Sequence, residues 1–362
     1  MAAIQRVLLL NQRLRWPRSR LVHVKKNYLA KLFDILPDVA IFKKFRLPRQ
    51  QILELLDLLR PALARLMWRN FALCPEVQLL AALRFFATGS FIVVVGEGHG
   101  LSRTSVWRCV HTVTNAILRH AGDYIRLPAT RQEIQEMHQG CHAIAGIPRV
   151  LGLVDGTLIP IANPSVLDPA DISQKGYAAI NVQVIVDHRG VISDLLARWP
   201  GSTHDSFVWA NSALGEQAER EGFGQNLFFG DSGYPLRTYL FTPLSNPQTR
   251  AERAYNAAHV RTIHVEHAFG RLKGRWRCLM KRTDSQTTNI KFVVAACIVL
   301  HNFCESWKLD FPQEQSRAEM PEEEDTEQEH ADDEGTLVTP EPLDLASSTA
   351  EQIREVLSMV HF

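Results

Sequence analysis

Apolar residues recur at helical spacing through the first 120 residues of the chain. Residues 29–36 carry leucines and a phenylalanine three and four apart, which predicts a short helix. Residues 50–65 repeat the pattern, and their internal Pro61 predicts two helices that meet near it. Residues 75–88 open with proline and glutamate and stop before Gly89, as a helix does. The first third of the chain is therefore predicted to be mostly helical.

Residues 91–120 place a glycine-containing turn before a helix for which Ser102 is the expected N-cap. Such a turn ahead of an amphipathic helix is typical of helix-turn-helix units, here spanning about 75–120. In that interpretation Arg103 and Arg108 lie near the exposed start of a recognition helix and contact DNA. The alternative is two packed helices with a solvated face. The apolar stripe of the helix is Val106, Val110, Val113 and Ile117.

The pattern changes near residue 147 to short runs rich in β-branched residues. Residues 150–155, 178–190 and 191–202 are predicted strands, and 226–235 contains a fourth. Helical patterns occupy 205–220, 250–273 and 291–307. Three strands, a helix, another strand and further helices predict an α/β fold with a partly antiparallel sheet.

The net charge of +1 conceals a strong asymmetry along the chain. Residues 311–351 hold fourteen acidic residues and one basic residue, a net charge of −13, whereas residues 1–310 carry +14. A basic body indicates a nucleic-acid partner. The predicted organisation is a basic helical region at 1–145, an α/β domain at 147–310, and a disordered acidic tail at 311–362 with a short terminal helix.

Cysteine usage and hydropathy exclude several classes of protein. The six cysteines form no C-x-x-C pair, which argues against a disulfide scaffold or a zinc ribbon. No run approaches the roughly 18 apolar residues of a membrane span. The N-terminus lacks the features of a secretory signal. A reducing, intracellular compartment is expected.

Four acidic residues lie where carboxylates could converge. Asp155 and Asp231 each follow an apolar strand, Asp205 begins a predicted helix, and Glu266 lies in a helix followed by basic residues. Carboxylates that meet from strand ends and a facing helix form an oxygen-rich site for Mg²⁺ or Mn²⁺. Each one taken alone is more readily a turn aspartate or a surface glutamate, and the combination followed by a basic helix is what favours a site.

Six motifs occur in an order that identifies a resemblance: VDGTLIPI, QKGYAAINVQVIVDHRGVI, PGSTHDSFVW, FFGDSGYP, RTIHVEHAFGRLKGRW and VLHNFCE. In this order they resemble the transposases of PIF/Harbinger elements and their domesticated relatives, the Harbinger transposase-derived nucleases. The resemblance covers about residues 75–307. It implies an RNase H-like DDE endonuclease domain, a divalent metal cation (Mg²⁺ or Mn²⁺) and chemistry on DNA phosphodiester bonds.

Matched to the family's motifs, the catalytic triad is Asp155, Asp231 and Glu266. Asp205 matches a further acidic position, either as an additional metal ligand or as a residue that supports the ligands, and it would replace Asp231 in the triad if Asp231 lay far from Asp155. The resemblance implies two ions, one activating water and the other stabilising the leaving 3′-oxygen. His204 and His267, beside these carboxylates, are expected to orient them rather than to hold zinc.

A cationic run follows Glu266 and is interpreted as a track for the DNA backbone, against the alternative of a solvated helix face. Lys175 is expected either to contact phosphate or to border the sheet. Trp276 is expected to pack, and His301-Asn302 to form a satisfied polar pair at the edge of the core. The run consists of Arg271, Lys273, Arg275, Arg277, Lys281 and Arg282.

These observations predict a transposase-derived, metal-dependent nuclease that acts on double-stranded DNA in the nucleus, with the cytoplasm as a second location. The alternatives are a DNA- or chromatin-binding adaptor that keeps the fold without cleaving, and a nuclease with another substrate. The family resemblance also implies a Myb/SANT-like partner protein. An oligomer is compatible with the sequence, and a membrane partner is not expected.

Overall fold

The computed structural model describes residues 28–64, 73–162, 173, 176–262, 265–282, 287–309 and 354. The chain divides into two compact units, Met1–Ile117 and Leu118–Phe362, so the division comes earlier than the predicted one at 145–147. Lys175 and the predicted acidic tail lie outside the described residues. The predicted terminal helix also lies outside them, except for Arg354.

The first unit is helical where it is described. Pro61 lies in the last turn of helix α3, so the prediction of two helices meeting there is wrong. A proline two residues from a helix end removes only one late hydrogen bond, which the helix tolerates. The helices are α1 (Tyr28–Ile35), α2 (Asp38–Phe45), α3 (Arg49–Leu63), α4 (Pro75–Thr88), α5 (Ile92–His99) and α6 (Arg103–Leu118).

Local chemistry accounts for the ends of two of these helices. Gly89 ends α4 in the left-handed conformation (φ 56°), which glycine adopts without strain. Ser102 Oγ accepts a hydrogen bond from the Ser105 amide at 3.2 Å, so the predicted cap of α6 is confirmed. Arg103 and Arg108 are exposed on α6. The predicted apolar stripe is buried: Val106, Val110, Val113 and Ile117.

The second unit is built on a five-stranded sheet of order β3-β2-β1-β4-β5. β2 pairs antiparallel with both β1 and β3. β4 pairs parallel with β1, and β5 pairs parallel with β4. The predicted partly antiparallel sheet is confirmed. The strands are β1 (Val150–Pro160), β2 (Ala179–Val186), β3 (Ile192–Pro200), β4 (Leu227–Gly230) and β5 (Leu240–Phe241).

The helices of this unit differ from the sequence prediction at two places. The predicted helix at 205–220 is broken, because Ser212 Oγ accepts from the Gly215 amide at 2.9 Å and starts a second helix. The helix at 131–145 was not predicted, although Thr130 and Glu133 form a capping box. The helices are α7 (Ala121–Tyr124), α8 (Arg131–Ala145), α9 (Asp205–Ala210), α10 (Ala213–Glu221), α11 (Arg250–Thr262), α12 (Val265–Arg275) and α13 (Thr287–Ser306).

The core of this unit packs around the sheet. Trp209 of α9 belongs to an aromatic-rich cluster that also contains Phe228 of β4. Trp276, which follows α12, is fully buried, as predicted. The polar pair is only partly as predicted, because both residues are buried in the core and His301 Nδ1 makes no hydrogen bond to the described residues. The other ring nitrogen of His301 bonds the Gly190 carbonyl at 2.9 Å, and the Asn302 side chain pairs with the Ile192 backbone. None of the described helices is long and apolar enough to cross a membrane.

Candidate active site

Two of the four predicted carboxylates lie side by side at the end of the parallel strand pair. Val154 of β1 is in register with Gly230 of β4. Asp155 follows Val154 on β1 and Asp231 directly follows the end of β4, so the parallel pairing places the two carboxylates as neighbours. The predicted strand-end position is confirmed for Asp231, which follows β4, and is wrong for Asp155, because β1 continues to Pro160 in its pairing with β2 and only the parallel pairing with β4 stops beside Asp155.

Asp205 joins them from the start of α9. The Asn181 side chain on β2 donates one hydrogen bond to Asp205 Oδ1 and another to the Thr203 carbonyl, both at 3.1 Å. A β-carbon on Gly156 would lie 2.8 Å from Asp205 Oδ1. Any larger residue beside Asp155 would therefore displace this carboxylate, which gives Gly156 a reason to be glycine.

The loop after β4 holds Asp231 against Asp205. The Gly233 amide donates to Asp231 Oδ1 at 3.0 Å. A β-carbon on Gly233 would lie 3.2 Å from both Asp231 Oδ1 and Asp205 Oδ2, so the two carboxylates face the same small gap. Desolvation, and then the charge of Asp205, raise the pKa of Asp231 above its ordinary value.

Tyr234 is a buried polar residue at this site that sequence reasoning missed. Its side chain is 4% exposed, and its hydroxyl has no hydrogen-bond partner among the described residues. Burial raises its pKa, and the charges of Asp205, Asp155 and Asp231 raise it further. An unpartnered hydroxyl beside three carboxylates marks a place where the folded chain alone leaves a polar group unsatisfied.

The donor set fits a divalent cation. Mg²⁺ and Mn²⁺ prefer oxygen ligands, and all three aspartates supply only oxygen. Among the described side chains, no three acidic, histidine or cysteine residues converge tightly enough to hold an ion on their own. Glu266 is the second residue of α12, and its side chain lies outside the description.

The second half of helix α12 contacts β1. The Lys273 ammonium donates to the Leu158 carbonyl of β1 at 3.3 Å. His204, the residue before α9, and His267, the residue after Glu266, are both exposed. Their predicted orienting role stays a prediction, as does the place of Glu266 in the triad.

The cationic run after Glu266 does not form a single track. Arg275 is fully buried and donates to the Leu309 carbonyl at 2.8 Å, so its predicted contact with DNA phosphate is wrong. Arg271 pairs with Glu305 at 3.2 Å and donates to the Arg189 carbonyl. Arg277 is half-buried. Lys281 and Arg282 are exposed and remain candidates for DNA contact.

The matching family model is described as a DDE superfamily endonuclease and covers residues 154–302, a range that contains all four carboxylates. The human protein named "Putative nuclease HARBI1" is 34% identical over 336 residues, which cover 91% of this chain and 92% of the human one. The chain belongs to the Harbinger transposase-derived nuclease family.

Two further relatives of this Harbinger-derived chain come from cattle and from a plant. The bovine "Putative nuclease HARBI1" is 34% identical, with 91% of this chain and 92% of the bovine one covered. The Arabidopsis thaliana "Protein ALP1-like" is 28% identical over 62% of this chain and 59% of its own length. No solved structure matches. The resemblance identified from the six ordered motifs is confirmed.

Tyr234→Phe is expected to leave the metal-free melting temperature unchanged or raised, because the hydroxyl that it removes makes no hydrogen bond to the described residues. Tyr239→Phe is the matched control. The Tyr239 hydroxyl donates to Glu219 at 2.7 Å, and losing that bond should cost about 1 kcal/mol. Thermal unfolding of both variants in EDTA measures the difference. A larger loss of stability in Tyr234→Phe than in Tyr239→Phe would contradict the unsatisfied hydroxyl.

Proposed function

We propose that this chain is a divalent-metal-dependent endonuclease that hydrolyses phosphodiester bonds of double-stranded DNA. One observation carries the proposal: Asp205 and Asp231 face one small gap, and the β1–β4 register places Asp155 beside Asp231, within the residues that match the endonuclease family. These three would hold Mg²⁺ or Mn²⁺, with Glu266 as the fourth ligand. Divalent ions bound by such carboxylates activate a water and stabilise the leaving 3′-oxygen.

The chain's own contribution is to keep like charges together before any ion binds. Asn181 fixes Asp205 by donating to it, and the Gly233 amide fixes Asp231 in the same way. Both donors are neutral, so they orient the carboxylates without neutralising them. The remaining repulsion contributes to the raised pKa of Asp231 and favours a cation in the gap.

Contacts with the DNA backbone would come from exposed cations. Lys281 and Arg282 follow α12, which carries Glu266. Arg103 and Arg108 are exposed at the start of α6 in the other unit, and they would add sequence-independent affinity through phosphate contacts. A Myb/SANT-like partner protein and a nuclear location belong to the same proposal, because the family resemblance and a net charge of +14 over residues 1–310 support them.

Cleavage of supercoiled plasmid by the purified full chain tests this function. We expect nicking in Mg²⁺ or Mn²⁺ and none in EDTA. Asp205→Asn should reduce the rate by at least about a hundredfold, because a lost ligand removes several kcal/mol of charge stabilisation. Asp194→Asn is the control, since Asp194 lies on β3 of the same sheet and is not one of the converging carboxylates. Equal nicking by Asp205→Asn and the wild type would refute the proposal.

A further inference from the structure

A partly exposed aromatic pair adjoins the carboxylates and has no part in holding them. Phe207 lies on α9, two residues after Asp205, and is 49% exposed. Its ring centroid is 5.0 Å from that of Trp199, with the ring planes at 82°. Trp199 pairs across the strands with Asn181, whose side chain donates to Asp205. The aromatic pair therefore lies close to Asp205: Phe207 shares α9 with it, and Trp199 lies beside Asn181, which bonds it.

Two cations lie at this end of β3. The Arg198 guanidinium carbon lies 5.0 Å from the centre of the Trp199 ring, and Arg198 is exposed. Lys291 of α13 donates to the Arg198 carbonyl at 3.2 Å, which brings a second positive charge to the end of β3. This edge of the sheet is therefore both aromatic and cationic, and it is complementary to a base that carries its own phosphate.

A second cation–aromatic pair lies at the same end of the sheet. The Arg282 guanidinium carbon is 5.9 Å from the centre of the Tyr177 ring. Tyr177 comes two residues before the start of β2, and Ile180 of β2 is in register with Pro200, the last residue of β3. Two cation–aromatic pairs therefore lie at the end of the sheet that adjoins Asp205.

Aromatic rings beside cations in an open groove are the means by which proteins hold single-stranded nucleic acid, because the rings stack on bases and the cations contact phosphates. In an intact duplex each base already stacks on its neighbours, so an exposed protein ring can gain little from it. We infer that Phe207 and Trp199 form a stacking site for an unpaired nucleobase of the DNA strand held at the carboxylates, and that Arg198 contacts a phosphate of that strand. This inference rests on the proposed function for its substrate.

The site is tested by binding without cleavage. Fluorescence anisotropy in EDTA would compare the full chain on a blunt duplex and on the same duplex with a four-nucleotide single-stranded end. We expect tighter binding of the unpaired end, and Phe207→Ala should weaken that binding roughly tenfold while changing blunt-duplex binding by less than about twofold. Phe207→Trp should restore the preference, since it keeps a ring. Arg198→Gln should weaken both substrates alike, as a phosphate contact does.

Trp307→Ala is the matched control, because Trp307 is 45% exposed and follows the far end of α13 from Lys291. It should leave both affinities unchanged. The inference is overturned if the wild type shows no preference for the unpaired end, if Phe207→Ala weakens both substrates equally, or if Trp307→Ala removes the preference as well. A chain that binds unpaired ends through Phe207 but fails to nick plasmid in Mg²⁺ or Mn²⁺ would refute the nuclease function and leave the stacking site standing.

Discussion

Asp231→Asn is expected to lose DNA cleavage by about a hundredfold or more and, at the same time, to raise the melting temperature of the metal-free chain. The loss follows from removal of an anionic ligand at the proposed ion site. The gain follows because desolvation and the neighbouring Asp205 disfavour the charged form of Asp231 in the folded state, and asparagine has no charge to lose. Stability and activity should therefore move in opposite directions at one residue.

The pH dependence of the same variant gives the sign of the effect. The folded-state pKa of Asp231 is raised above 3.8, so the folded chain keeps this proton to higher pH than the unfolded chain does. The free energy of unfolding contributed by Asp231 is therefore lost as the pH rises through that raised pKa. In EDTA, the melting temperature of the wild type should therefore drop below that of Asp231→Asn, and the difference should grow as the pH rises from 4 to 7.

Asp187→Ala provides the contrast. Asp187 is 8% exposed and accepts from the amides of Arg189 and Val191, both at 2.8 Å, in the turn between β2 and β3. Removing this hydrogen-bonded carboxylate should lower the melting temperature. Equal losses in Asp187→Ala and Asp231→Asn would show that Asp231 is a structural acceptor and would remove the reason for expecting an ion beside it.

Arg275→Ala is expected to cost about 3 kcal/mol or more in the free energy of unfolding. Arg275 is fully buried, donates to the Leu309 carbonyl at 2.8 Å and lies 3.8 Å from Glu305. Truncation would leave a cavity and weaken the charge balance around Glu305, whose side chain is only 14% exposed. Urea unfolding of the full chain measures the loss.

Arg282→Ala should behave in the opposite way. Arg282 is exposed, so its loss should change stability by less than about 0.5 kcal/mol. It should instead weaken binding to duplexes of any sequence and reduce the salt dependence of that binding. Loss of stability in Arg282→Ala would contradict the DNA-contact role of the exposed arginine. Full stability with poor DNA binding in Arg275→Ala would contradict the structural role of the buried one.

The helices with strong local signals could be predicted from the sequence. Pro75 and Gly89 bound α4, and Ser102 caps α6, because each acts within its own turn. The break at Ser212 was missed because its cap competes locally with an otherwise helical pattern. The prediction at Pro61 failed because a proline so close to a helix end costs little.

The candidate site was predictable in its charges and not in its neutral residues. Asp155 and Asp231 close apolar runs, which is visible in the sequence, whereas the buried, unpartnered hydroxyl of Tyr234 depends on tertiary packing.

Arg271 and Arg275 are four residues apart and therefore share one face of α12. That face meets Glu305 of α13, and the sequence gives no sign that a helix with a matching acid lies there.

The most direct measurement is the cleavage of a labelled linear duplex by the purified full chain in Mn²⁺, compared with Asp155→Asn and Glu266→Gln prepared in the same way. If Asp155 and Glu266 complete an ion site with Asp205 and Asp231, the wild type should cut the duplex and EDTA should stop it. The cleavage rate of both variants should be lower by at least about a hundredfold, and their melting temperatures should stay within a few degrees of the wild type. Cleavage that continues at the same rate in the wild type and both variants would contradict a carboxylate-held metal site.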